Sequence, residues 1–322
     1  MGVSYVGFYA TMGALCNHPA MKAASPQAPC TDWWKGDDVH HNGAFMMLDL
    51  YNFGKSFFLD REANETDPYR SPSRIQGNAY DYFLKLGSTK GMLNDIADPV
   101  TLREKYDFWE DIIDHPNYDE YWKTLDPLQH CYNIKPAVMV VGGSYDGEDC
   151  WGAVNTYKAI AAQSPQTESY FVYGPWPHGY WSSKSYTGFG GISFGEGIGD
   201  WYTNEIEYKF FAHYLEGKDE KPAKVNIVPG FNDKNHQWTY NTYDHWPLKY
   251  EEVSLYLNKG WTAGYSKPTM HNSYDRYISD PKNPVPYTEK QKMGGMKTYV
   301  VESQDFVAGR EDVMCYFTDP VK

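Results

Sequence analysis

The run Ala137-Val138-Met139-Val140-Val141-Gly142-Gly143 does most to narrow the fold. It holds no charged or polar side chain, so neither face of a strand built from it can be turned to water. That is the situation of a strand in a parallel sheet covered on both sides. A second run of this kind, Ser169-Tyr170-Phe171-Val172-Tyr173-Gly174, follows a stretch from Trp151 to Ala162 that reads as a helix. Strand, helix, strand predicts an α/β chain. At 322 residues the chain can bury one large domain and a smaller one. Aromatic residues make up 17%, including 29 Tyr and 11 Trp, which supplies core material and excludes a disordered chain.

The remaining segments differ in texture. Residues 1 to 30 read as turn, helix and strand, and residues 45 to 125 as a helical insertion. In that insertion Phe45 to Tyr51 and Leu93 to Ile96 look helical, and Trp109 to Trp122 is rich in aromatics and acids. Trp201 to Leu215 places Ile206, Phe210, His213 and Tyr214 on one side at helical spacing, with Gly217 as the stop. Beyond Lys221 the pattern turns to alternation, as in Lys224 to Val228 and Glu252 to Leu257, and this predicts a separate β-rich module whose last strand is Asp312 to Phe317.

A formal net charge of −13 disfavours nucleic acid and anionic membrane as partners, because both would be repelled. No apolar run is long enough for a transmembrane helix, and Met1 to Tyr5 lacks the pattern of a signal peptide. The five cysteines, Cys16, Cys30, Cys131, Cys150 and Cys315, have no C-x-x-C spacing, which speaks against a zinc site or a dense disulfide framework. They read mostly as buried thiols.

Candidate chemistry begins at Gly2-Val3-Ser4-Tyr5-Val6-Gly7, which resembles a nucleophile elbow, a sharp strand-to-helix turn that lifts a serine hydroxyl to a helix N-terminus. It departs from G-x-S-x-G: Val6 fills the second glycine position and Gly7 comes one residue late. Taken alone the match is weak, and Ser4 reads first as a loop residue. Asp146 follows the first buried strand and His178 the second, in the order serine, acid, histidine of α/β-hydrolases. In that arrangement His178 accepts the Ser4 proton and Asp146 orients its ring. The other reading of His178 is a plain loop histidine.

Five ordered segments then carry a specific resemblance: Gly2 to Gly7, Ala28 to Trp34, Asp37 to Phe45, Tyr145 to Gly152, and Gly174-Pro175-Trp176-Pro177-His178. Together they resemble the α-amino acid ester hydrolases, relatives of glutaryl cephalosporin acylases, cocaine esterase and Xaa-Pro dipeptidyl-peptidases. Further matches extend to Trp246-Pro247, Leu255 to Leu257 and Ser279 to Tyr287. The resemblance implies an α/β-hydrolase domain with a helical cap, followed by a β jelly roll. It implies Ser4 as nucleophile, Asp146 and His178 as the other triad members, and the Tyr5 backbone N–H as an oxyanion donor. Asp38, Glu148 and Asp149 match a carboxylate cluster that grips a substrate ammonium group. Such a cluster attracts an α-ammonium and rejects acyl groups that carry a carboxylate. Solvated loop acids are the plainer reading, and Asp37-Asp38 with His40-His41 as a metal site is another. Trp33-Trp34 reads as core or cap packing, and the segment from His115 to Trp122 as a structural cap motif.

The division expected is therefore 1–44 and 131–220 for a partial α/β-hydrolase domain starting at the elbow, 45–130 for the helical cap insertion, and 221–322 for the N-terminal part of a truncated jelly roll. The expected function is a serine hydrolase or acyltransferase acting on esters or amides of α-amino acids. It needs no cofactor and no metal. Its partner is a small-molecule or short-peptide substrate with a free α-amino group. An Xaa-Pro dipeptidyl-peptidase with the same triad is the alternative. A rival from another class is a catalytically silent fragment whose β module mediates interactions, since strands and a tyrosine oxyanion donor expected upstream of Ser4 are not in this sequence. An uncovered sheet edge would favour a homo-oligomer. A periplasmic or secreted location is implied by the resemblance alone.

Overall fold

Parallel pairing of the two apolar runs builds the centre of the sheet. The computed structural model describes residues 1–54, 77–91, 107–229, 238–270, 272–289 and 296–320. Two units are distinguished, Met1–Trp246 with Met293–Val301, and Pro247–Lys292 with Glu302–Lys322.

In the first unit, strand β1 (Gly2–Val3) leads into helix α1 (Tyr5–Leu15), and the chain returns through β2 (Ala23–Ala24) and β3 (Pro26–Gln27). A hairpin of β4 (His40–His41) and β5 (Ala44–Phe45) opens the insertion. Helices α2 (Met47–Gly54), α3 (Ala79–Leu86), α4 (Asp107–Asp114) and α5 (Glu120–Leu125) follow. Asn78 and Asp119 start α3 and α5 by accepting the N–H of Tyr80 and Tyr121, as N-caps do. The expected helix at Leu93 to Ile96 lies outside the described residues. Strand β6 (Ala137–Gly143), helix α6 (Cys150–Gln163) and strand β7 (Ser169–Gly174) complete the predicted strand, helix, strand order.

A small hairpin, β8 (Gly188–Phe189) and β9 (Ile192–Ser193), precedes α7 (Ile198–Trp201), a π-helical turn (Tyr202–Glu207) and α8 (Tyr208–Glu216). Gly217 stops α8 in the left-handed conformation, as its position predicts. Strands β10 (Val225–Ile227) and β11 (Asn241–Tyr243) then join the sheet. Its order is β1-β3-β6-β7-β10-β11, with β2 also paired to β6. β1, β3, β6, β7 and β10 run parallel, and β11 is antiparallel.

Every residue of β6 is buried, and its two faces fill two cores. Met139 and Val141 join Tyr170 and Val172 of β7 under Ile198, Tyr202, Ile206 and Phe210. Val138 and Val140 join Phe171 under Ala14 of α1 and Ala153, Tyr157 and Ile160 of α6. Alternate residues of one strand therefore serve opposite layers, which is why no polar position could be spared. The insertion has its own core of Leu48, Leu50, Tyr51, Ala79, Ile112 and Trp122, with Trp33 and Trp34 packed against it.

The segment Lys224 to Val228, expected to open the β module, instead contributes Val225–Ile227 to the central sheet. In the second unit the described strands are β12 (Tyr256–Asn258) and β13 (Thr262–Gly264), an antiparallel pair. The expected strand Asp312 to Phe317 is reduced to an isolated bridge between Phe317 and Thr262. The described residues form a mixed α/β unit with a parallel central sheet, and no jelly roll.

Candidate active site

Ser4 sits between β1 and α1 with φ 65° and ψ −131°, a backbone region that a side-chain-bearing residue enters at a cost of order 1–3 kcal/mol. The surrounding bonds hold it there: Ser4 N–H donates to Gln27 O at 2.9 Å and Phe8 N–H to Ser4 O at 3.0 Å. The off-register glycine has a direct explanation. A Cβ on Gly7 would lie 2.4 Å from Gln27 O and 3.1 Å from Pro29 Cα, so Gly7 is where α1 presses on β3 and the residues after it. A Cβ on Gly2 would lie 2.4 Å from Val6 Cγ1, so Val6 already fills the space that a second side chain would need. Tyr5 is the first residue of α1, where backbone N–H groups have no intrahelical acceptor and the helix end favours negative charge.

Asp146 and His178 come together from the ends of β6 and β7. Ser144 N–H bonds Gly174 O and Tyr145 N–H bonds Trp176 O, tying the two loops to each other. His178 Nδ1 lies 2.8 Å from Asp146 Oδ2. Asp146 Oδ1 accepts the N–H groups of Glu148 and Asp149 at 2.9 and 3.0 Å. Burial pushes the Asp146 carboxyl up, but the His178 bond and charge and these two N–H bonds outweigh it and hold the group below the usual carboxylate range. An ionised Asp146 assigns the proton to Nδ1, so that the ring's lone pair is on Nε2.

The three proposed ammonium ligands surround this pair. Glu148 Oε2 is 4.0 Å from His178 Nε2. Asp149 Oδ2 is 3.9 Å from His178 Nδ1 and accepts a bond from Ser4 Oγ at 3.3 Å, while Asp149 Oδ1 is buried with no hydrogen-bond partner among the described residues. Burial and then the charge of Asp38 hold Asp149 well above the usual carboxylate range. Asp38, at φ 49°, donates its N–H to Glu148 O at 3.2 Å. Its carboxyl is likewise raised, by burial and by Glu148 and Asp37, against the opposing influence of His178 and a Cys30 hydrogen bond. Burial and mutual repulsion, which raise Asp38 and Asp149, would both be relieved by a cation beside them.

Asp37 has a different task. Its Oδ2 accepts from Thr31 N, Thr31 Oγ1 and Asp32 N, and its Oδ1 from Gly152 N in the first turn of α6. It pins the Thr31 to Asp38 loop to the helix that follows Asp149. His40 lies against Trp34 and Trp122, with ring centroids 4.3 and 5.0 Å away, and burial lowers its pKa to about 4. Of the Asp37-Asp38 and His40-His41 combination that could read as a metal site, Asp37 is engaged in loop bonding and His40 in aromatic packing, while His41 Nε2 lies 3.2 Å from Glu148 O. Among the described residues, the group whose ligand atoms approach within 4.8 Å of one another is Glu148, Asp149 and His178. His115 bonds Asp119 at 2.7 Å and stacks on Tyr121, a structural role.

The sequence matches the family described as X-Pro dipeptidyl-peptidase (S15 family) over residues 1–180, more than half the chain, including Ser4, Asp146 and His178. The chain belongs to that S15 family. The S15 chain is similar to the cocaine esterase of Rhodococcus sp. (strain MB1 Bresler), 24% identical over 349 residues, an alignment covering 100% of this chain and 57% of that protein. A solved α-amino acid ester hydrolase superposes with TM-score 0.83 at 26% identity, covering 99% of this chain and 52% of that one. An aminopeptidase from the marine sediment archaeon Thaumarchaeota archaeon gives TM-score 0.83 at 27% identity, covering 100% and 52%. The S15 chain therefore spans 57% and 52% of the lengths of the relatives it matches. These matches assign it to a serine hydrolase family of esterase and peptidase type.

No helix among the described residues is long and apolar enough to cross a membrane. Gln27 and Trp181 were not singled out by sequence reasoning, because an isolated glutamine in a short Ala/Pro-rich segment carries no pattern.

Proposed function

We propose that the protein is a serine acyl hydrolase or acyltransferase that acts on esters or amides of α-amino acids through Ser4, His178 and Asp146. The observation that carries the reading is the Asp146–His178 bond of 2.8 Å, set beside an acid cluster whose Asp149 also holds the Ser4 hydroxyl. In this reading the substrate α-ammonium enters among Asp38, Glu148 and Asp149. As Asp149 turns to the ammonium, the Ser4 hydroxyl is released toward His178 Nε2.

Ser4 Oγ then forms a bond to the acyl carbon while its proton passes to Nε2, and the carbonyl electron pair becomes an oxyanion facing the Tyr5 N–H. Collapse re-forms the carbonyl, breaks the bond to the alcohol or amine, and returns the proton from Nε2 to that leaving group. Water, or an acceptor amine in acyl transfer, repeats the steps on the acyl-enzyme. Asp146 stabilises the imidazolium throughout.

Amino acid methyl ester hydrolysis tests this directly. Ser4→Ala is expected to abolish both turnover and fluorophosphonate labelling, and retention of either overturns the mechanism. A second reading, release of an N-terminal dipeptide ending in proline, is supported by the family description, and the same carboxylates would bind the free amine. Comparing an Xaa-Pro anilide with an amino acid ester separates the two.

A further inference from the structure

We infer that Gln27 is a positioning residue that sets the spacing between the nucleophile turn and the histidine loop; the inference rests on Ser4 and His178 acting as proposed above. Gln27 is buried in β3 and bonds three separate parts of the site. Its backbone carbonyl accepts the Ser4 N–H at 2.9 Å, the bond that holds the elbow in its strained conformation. Its side-chain Oε1 accepts the Trp181 Nε1–H at 2.8 Å, and Trp181, fully buried, stands three residues beyond His178. Its Nε2 donates to Glu207 Oε1 at 2.8 Å, in the π-helical turn, and to Ser25 Oγ at 3.1 Å.

The network continues in both directions. Ser25 Oγ donates to Met139 O at 2.9 Å, in the strand that delivers Asp146. Tyr202 OH donates to the same Glu207 oxygen at 3.0 Å. The amide orientation follows from chemistry, since an indole N–H can only donate and a carboxylate oxygen here accepts. Val3 Cγ1 lies 3.6 Å from where a Cβ on Gly179 would be, so the elbow and the histidine loop also touch through β1.

One residue, through its backbone carbonyl and a side chain satisfied at both ends, thereby links the elements that carry nucleophile, base and acid. Buried networks of this kind fix one arrangement, because every alternative leaves a polar group unpaired. The widened π-helical turn that presents Glu207 is a local irregularity of the sort often found near functional sites. Gln27 touches no reacting atom; it acts through the Ser4 backbone and the Trp181 loop.

The test measures fluorophosphonate labelling rate per folded active site, with the folded fraction counted by active-site titration, together with KM and kcat for an amino acid ester. Gln27→Met keeps side-chain bulk without the amide, and Trp181→Phe removes the opposing donor together with part of its buried ring. Each is expected to slow labelling and kcat by about 10–100-fold, the scale of a small misplacement of reacting groups, with KM within about threefold. The double variant is expected to fall short of the product of the two single effects, since both break the Gln27–Trp181 bond. Glu207→Ala, at a half-buried position, releases the other end and is expected to slow labelling about 3–10-fold even if a core variant fails to fold. Unchanged rates per active site, or effects that multiply in the double variant, overturn the proposal. Ser4→Ala run alongside reports on the function separately: label persisting there defeats the serine mechanism, whereas label lost there and full-rate in Gln27→Met defeats the positioning role alone.

Discussion

Ser4 Oγ donates its hydrogen bond to Asp149 Oδ2, 3.3 Å away, and that same oxygen lies 3.9 Å from His178 Nδ1. The hydroxyl of the proposed nucleophile is thus held by a carboxylate of the proposed ammonium-binding cluster. If the substrate ammonium competes for that carboxylate, recognition of the amine and release of the nucleophile are one event. Converting Asp38, Glu148 and Asp149 to amides is expected to cut the kcat/KM preference for an amino acid ester over its deaminated analogue by at least about 10-fold, the scale of a charge-assisted hydrogen bond. An unchanged ratio counts against the cluster.

Asp146 offers a second check. Asp146→Asn keeps the size of the side chain but replaces one acceptor oxygen with a donor, which disfavours the Nδ1–H tautomer of His178. The expected loss in kcat is about 10³–10⁴-fold with little change in KM, measured by steady-state ester hydrolysis. A loss under about tenfold would mean that His178 is oriented by another group.

The pH dependence of Asp37 has a definite sign. Burial pushes this carboxyl up to about 7, against the bonds it accepts from Thr31, Gly152 and Asp32. Between its ordinary value near 4 and about 7, the folded state keeps a proton that the unfolded chain has released. Its contribution to stability therefore falls as pH rises through that window, by up to about 1.4 kcal/mol per pH unit. Asp37→Asn should be destabilised at every pH because an amide NH2 would face donors. The gap to the parent, read from urea unfolding, should narrow as pH rises from about 4 to about 7. A gap that widens over this range contradicts the assignment.

The elbow's glycines give a stability prediction. Gly7→Ala would set a methyl group 2.4 Å from Gln27 O, which accepts the Ser4 N–H, so a cost of about 1–3 kcal/mol with loss of labelling is expected. Val6→Gly, at an exposed helical position, should cost only about 1 kcal/mol and leave labelling intact. Thermal unfolding and probe labelling together decide it.

These residues also show what a sequence reveals and what it hides. β6 was legible because complete burial on both faces leaves an unmistakable apolar run, and β7 because its burial is nearly as complete. β10 was misread because Asn226 breaks its run into alternation. Its side chain is buried and satisfied locally, with Nδ2 donating to Ala223 O at 2.8 Å, so a core strand imitates a half-exposed one. The Asp146–His178 pair was legible from its place after two strands, and the assembly of Asp38, Glu148 and Asp149 around it from resemblance. Neither reading foresaw the Ser4–Asp149 bond, which depends on side-chain rotation. Asp37 seemed another solvated acid, since only the folded loop reveals the backbone donors converging on it.

The placement of β10 changes how the chain can be divided in the laboratory. A product ended at Lys221, where the composition shifts, would lose β10 and β11 and leave β7 with an unpaired edge at Phe171 to Tyr173. Bare apolar strand edges recruit other chains, so such a product should precipitate. A product that keeps the sheet whole must run at least through Trp246, where Phe171 still has the ring of Trp246 beside it, and an end there still removes Met293–Val301, which also belongs to the first unit.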